Sequence, residues 1–113
     1  MSRRSAAALR VDRAAPIFAA LGDATRLALV NRLGTSGPLS ITRLTEGAHV
    51  TRQAVTKHLE VLAGAGLVRD EWQGRERLWV FEGARLAEAQ RCLELISSQW
   101  DDALARLKDF VEK

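Results

Sequence analysis

Residues 40–62 read SITRLTEGAHVTRQAVTKHLEVL, and side-chain chemistry alone places two helix starts in them. Ser40 and Thr51 each stand just before an apolar-periodic run, where a hydroxyl oxygen can take up an amide left unpaired at a helix N-terminus. Ser40 opens a short helix over residues 41–46 with Ile41 and Leu44 inward. Residues 47–50, Gly-Ala-His-Val, leave room only for a tight connection. Thr51 then opens a longer helix to about Ala63, in which Val55, Leu59 and Leu62 fall at i, i+4 and i+7 and so line one face. The opposite face is polar.

A short helix, a turn of three or four residues and a second helix with a polar outer face form the helix-turn-helix pattern, whose second helix lies in a DNA major groove. The outward residues here are Arg52, Gln53, Thr56, Lys57 and Glu60. Gln can pair bidentately with adenine and Arg with guanine, while Thr can hydrogen-bond a base or touch a thymine methyl. Glu60 is discordant, because a carboxylate repels phosphate. An ordinary solvated helix face would show many of the same residues, so the flanking segments have to decide.

Downstream, Gly64 and Gly66 end the helix, and the runs 67–72 (LVRDEW) and 75–81 (RERLWVF) flank Gln73-Gly74 as a two-stranded β-hairpin. Arg75 and Arg77 would put cations on that projecting ribbon, within reach of a phosphate or a minor groove. Asp70, Glu71 and Glu76 dilute its charge. From Ala84 to Phe110 the residues Leu86, Ala89, Leu93, Ile96, Trp100, Ala103, Leu107 and Phe110 step by three and four, a heptad seam on one long helix. At 1.5 Å per residue that helix is about 40 Å long, more than a small core can cover, so part of its seam needs a partner.

Upstream, Asp23 caps a helix in which Leu27, Val30 and Leu33 share a face, with Gly34 just past its end. A helix from Asp12 to Leu21 precedes it, with Ile17, Phe18 and Leu21 inward and Pro16 early enough to cost little. Residues 1–11 form a mobile basic arm, in which Arg3, Arg4 and Arg10 are candidates for a minor-groove contact; residues 12–113 form the folded domain. The expected fold class is therefore α+β and mostly helical.

The chain of 113 residues has 47% apolar and 27% charged side chains, enough for one core and a wet surface. Its net charge of +3 is unevenly spread: residues 1–81 hold 12 basic and 7 acidic groups, and residues 82–113 hold 5 and 7. A basic body points to a polyanionic partner. One cysteine excludes an internal disulfide and the paired-cysteine zinc motifs. The longest uncharged apolar stretch, residues 14–22, is too short to span a bilayer, so no membrane partner is expected and a cytoplasmic, nucleoid-associated location is. Asp101 and Asp102 point about 100° apart on their helix, and no nucleophile, acid/base or phosphate-loop constellation is present. The reading is of a protein that is not an enzyme and carries no cofactor.

The runs ALGDATRLALVNRL (20–33) and PLSITRLTEGAHVTRQAVTKHLEVLAGAGLVRDEWQGRERLWVF (38–81) resemble the ArsR family of bacterial winged helix-turn-helix repressors. The likeness covers residues 12–110. It implies a homodimer on a pseudo-palindromic operator in double-stranded DNA. Thr51, Arg52, Gln53, Thr56 and Lys57 would be the reading face, and Arg75 with Arg77 the wing. It also implies dimer contacts from the first and last helices, which points to Phe18, Leu86, Leu93, Ile96, Trp100 and Leu107. Metal-sensing members of the family carry cysteines where this chain has Ser40, Thr42 and Thr45, and no histidine follows His58, so no metal site is expected and the inducer is open.

His58 is expected to pack or hydrogen-bond locally, His49 to stand in the turn, and Cys92 to pack beside the seam rather than switch redox state. Trp72, Trp79 and Trp100 are read as structural. The competing function is a winged-helix module that binds protein without specific DNA recognition.

Overall fold

The structure is a computed structural model that describes residues 6–47 and 49–112. Among these residues five helices and three short strands follow one another as α1 (Ala6–Leu21), α2 (Ala24–Ser36), β1 (Leu39–Ser40), α3 (Ile41–Thr45), α4 (Arg52–Gly64), β2 (Val68–Gln73), β3 (Glu76–Phe81) and α5 (Gly83–Glu112). The apolar stripe of α4 lies at the centre. Val55, Leu59 and Leu62 are fully buried, and around them stand Ile17 of α1, Leu33 of α2, Leu44 of α3, and Leu67 and Trp79 of the hairpin region.

Both expected caps form. The Ser40 hydroxyl accepts the Arg43 amide at 3.2 Å and the Thr51 hydroxyl accepts the Ala54 amide at 3.1 Å. Asp23 caps α2 through the Arg26 amide at 3.0 Å, and this bond, more than the nearby Arg26 and His58 charges, holds its carboxyl below the usual value. The hairpin turns through Gly74 and Arg75. Gly74 has φ of +63°, and a positive φ at the first central residue suits a tight two-residue turn to the twist of its strands.

Several boundaries differ from the pattern. The first helix starts at Ala6, so residues 6–11 are helical where an arm was expected, because the Ala-Leu-Arg run there favours helix. Arg3 and Arg4 lie outside the described residues. Pro16 falls well inside α1 rather than early in it, and supplies no amide to the ladder there. Ala14 and Ala20 are buried with Ile17, whereas Phe18 and Leu21 are only partly covered; small residues bring α1 close to α5. In α2, Leu27 is 53% exposed and Leu29 joins Val30 and Leu33 inside. At about 100° per residue, Leu29, Val30 and Leu33 share an arc of about 100°, while Leu27 lies about 120° from Leu33. That helix ends at Gly37 (φ +81°), whose amide reaches Leu33 O at 3.1 Å, rather than at Gly34.

The sheet has three strands in the order β1-β3-β2, all antiparallel, and not two. Leu39 pairs with Trp79 and Ser40 with Leu78, so the residue that caps α3 is also tied to the hairpin. Trp79 is buried, as a structural tryptophan should be. Trp72 is not: it is 64% exposed, because the hairpin extends past the core before its tip.

The chemistry of Asp23 gives a pH test. A carboxyl lowered on folding adds stability above its unfolded pKa near 3.8, and that stability is lost as pH falls through the lower folded value. Asp23→Ala should therefore reduce the urea midpoint at pH 7, with the deficit narrowing at pH 3. An equal deficit at both pH values would mean that the carboxylate charge has no part in the cap.

Candidate nucleic-acid interface

Burial of Val55, Leu59 and Leu62 fixes the rotation of α4 and so dictates which side chains face out. Arg52, Gln53 and Lys57 are exposed on its first two turns, and none has a side-chain partner among the described residues. Thr56 is half-buried and donates its hydroxyl hydrogen to Arg52 O at 2.9 Å, leaving oxygen lone pairs and the methyl for an outside contact. The Thr51 oxygen is engaged as the cap, which leaves its hydrogen to donate. Gln53, Thr56, Lys57 and Glu60 border a shallow groove, with Glu60 at the end remote from Thr51.

A larger open cleft of about 690 Å³ separates α4 from the wing. Its walls are Arg43 and Thr42 of α3, Arg52 and Thr56 of α4, and Trp72, Arg75, Glu76 and Arg77 of the hairpin. The register explains this wall. Asp70 pairs with Trp79 and Trp72 with Arg77, so the hairpin face that covers the core near Trp79 continues outward to face the cleft.

The two wing arginines differ. Arg77 donates from Nε to Asp70 Oδ2 at 2.9 Å and lies 4.7 Å from the centre of the Trp79 ring. Its charge is partly cancelled and its side chain held. Arg75, in the turn itself, has no partner among the described residues. Further down the hairpin, Arg69 is bonded to Glu82 and, at 3.2 Å, to Glu71, which removes it from the free cations.

One cleft residue, Arg43, was not singled out from the sequence, and another, Trp72, was read there as structural. Arg43 was legible in principle, since inward Ile41 and Leu44 leave position 43 outside; its Nε is 4.0 Å from Glu46, a loose exposed pair. Trp72 required knowing how far the hairpin outruns the core.

One polar cluster sets α4 against the first two helices. Arg26 donates from Nε to Ala20 O at 2.6 Å and from Nη2 to Ala19 O at 3.5 Å, tying down the end of α1. Its Nη1 lies 3.4 Å from His58 Nδ1, and Asp23 Oδ2 is 3.9 Å from the same nitrogen. His58 thus makes the local contacts expected of it, and His49 is exposed in the turn. Ser40 caps α3, and Thr45 donates to Ile41 O at 2.7 Å. Among the described residues no group of three or more His, Cys, Asp or Glu side chains stands together as a metal site. Cys92 is buried.

A family profile described as a helix-turn-helix domain matches residues 21–71. The HTH-type transcriptional regulator Rv2034 of Mycobacterium tuberculosis is 36% identical over 93 residues, which span 82% of this chain and 83% of that protein. The HTH-type transcriptional repressor SmtB of the same species is 31% identical over 94 residues, 83% of this chain and 67% of its own length. Among solved structures, an ArsR-like transcriptional regulator from Rhodococcus sp. RHA1 superposes with a TM-score of 0.77 at 37% identity, covering 88% of this chain and 92% of that one.

The unequal wing arginines give opposite expectations for charge changes. Arg75→Ala should weaken binding to any duplex and lower the slope of log affinity against log salt by about one. Asp70→Asn, which releases Arg77 and removes a like charge, should strengthen non-specific binding about two- to fivefold. Fluorescence anisotropy over a salt series reads both. Equal slopes for wild type and Arg75→Ala would take the wing out of the interface.

Proposed function

This chain belongs to the ArsR family of winged helix-turn-helix regulators and is a DNA-binding transcriptional regulator; from that premise we propose that it represses transcription as a homodimer seated on a pseudo-palindromic operator. In this reading Thr51, Arg52, Gln53, Thr56 and Lys57 read the major groove, Arg75 holds a backbone phosphate, and Arg77 stiffens the wing while adding a weaker phosphate contact. The observation that carries it is the set Arg52, Gln53, Lys57 and Arg75, without side-chain partners among the described residues, on two elements that flank one cleft. Unpaired polar side chains cost nothing in water and are ready to bind where the groove replaces it. Repression, rather than activation, is supported by the function named for SmtB.

The dimer is supported by what α5 leaves uncovered. Its 30 residues extend about 45 Å, and it packs on its own core through Ala89 and Cys92. Beyond that, Leu93, Trp100, Leu104, Leu107, Phe110 and Val111 are each more than half exposed. A strip of that kind on a monomer is a partner site. Leu93, Ile96, Trp100 and Leu107 would form its centre. Phe18 and Leu86, partly covered by their own core, would border it.

Two measurements test the reading. Operator sequences selected from random DNA should be inverted repeats with half-site centres about 10 base pairs, or a multiple, apart. Gln53→Ala should then lose about 1 to 3 kcal/mol on the selected site and little on scrambled DNA. Unchanged binding of Gln53→Ala and Arg52→Ala to both duplexes would remove α4 from recognition and favour a protein partner instead. For assembly, Trp100→Glu should sediment as a monomer at micromolar concentration and bind the operator more weakly. A monomeric wild type would overturn the dimer.

A further inference from the structure

A second cationic site lies away from the cleft, between α1 and α5. Arg10 and Arg13 project from α1, and Glu88 and Arg91 from α5, around a cleft of about 150 Å³. Among the described residues that line it Glu88 is the only acid, and both of its oxygens are in use: Oε1 accepts from Arg13 at 3.2 Å and Oε2 from Arg85 at 3.4 Å. Arg10 and Arg91 have no partner among the described residues. Among the described lining residues, three guanidinium groups therefore stand with one carboxylate that is already paired to Arg13 and Arg85.

This site is not an extension of the DNA-facing cleft. Arg13 and Arg85 also border Ala63, Gly64, Ala65 and Gly66 at the C-terminal end of α4, whereas the candidate reading face is at its start. Thirteen residues of helix separate the two ends by about 20 Å.

We propose that the Arg10, Arg13 and Arg91 cleft binds a small doubly charged oxyanion of the phosphate class, free phosphate or the head of a phosphate monoester. The lining carries a formal charge of +2 with Glu88 ionised, and a dianion neutralises it. Guanidinium groups match phosphate oxygens in paired, planar hydrogen bonds. Among the described residues two of the three have no competing acceptor, so they bind without first breaking a contact there. The small volume suits the oxyanion head, with the rest of a monoester left outside the cleft.

Inorganic phosphate is the probe, titrated by calorimetry into the intact protein at fixed ionic strength, with chloride as the blank. Binding should be saturable with one phosphate per chain. Arg91→Gln and Arg10→Gln, both on exposed helix surface, should each weaken it about tenfold or more. Lys108→Gln, which removes an exposed cation elsewhere on α5, should leave it unchanged. Glycerol phosphate in a parallel titration separates a monoester from free phosphate, and tighter binding of either supports the class. Absence of saturable binding up to tens of millimolar, or an equal loss with Lys108→Gln, would overturn the proposal. So would a dicarboxylate such as succinate binding more tightly than phosphate. If Arg91→Gln lowers the salt slope of DNA binding by about one, the cluster is a DNA contact and the proposal is also overturned. Calorimetry decides the matter whether or not the DNA reading holds.

Discussion

Everything that the proposed reading places against DNA depends on the burial of one stripe, Val55, Leu59 and Leu62, at zero exposure in the centre of the core. Burying a side chain of this kind is worth roughly 1.5 to 3 kcal/mol, and here the three share one core cluster with residues of α1, α2, α3, the hairpin and Ala89 of α5. The stripe settles the rotation of α4, and rotation settles which residues point outward. Thr51 fixes where the helix begins, and the hairpin supplies Leu67, Val68 and Trp79 to close the core over it. A change of one residue in register would turn Gln53 and Lys57 about 100° from their present direction.

The hairpin joins core packing and a wall of the cleft in one element. Its face toward α4 is buried at Trp79 and solvated at Trp72, so the strand that completes the core also forms a wall of the cleft. Arg77, lodged between Asp70 and Trp79, acts as a strut within that wall. Arg75 at the turn keeps its charge available. Equal counting of wing arginines would miss this difference, since one carboxylate across the hairpin decides it.

The helix-turn-helix was legible because its signals are local: a hydroxyl cap, a period of 3.6 and a short polar turn all lie within residues 40–62. Elements set by distant partners were less so. Leu39 and Ser40 form a strand only because Trp79 and Leu78 lie beside them, and two residues carry no period of their own. Leu27 appeared to belong to an apolar row, but Leu29 was closer to the arc that the core demanded. The partnering of Arg77 by Asp70 depends on which strands are brought side by side, as does the convergence of Arg10, Arg13 and Arg91 from helices far apart in sequence. Spacing within one element does not encode such meetings.

The central claim is that α4 reads base edges from the major groove. Dimethyl sulfate interference on a selected operator tests it directly, because the reagent methylates guanine N7 in the major groove and adenine N3 in the minor groove. The account predicts that binding is blocked by guanine N7 methylation in both half-sites, where Arg52 meets the bases. Binding that tolerates methylation of every guanine in the half-sites, and fails only on adenine N3 methylation, would contradict it.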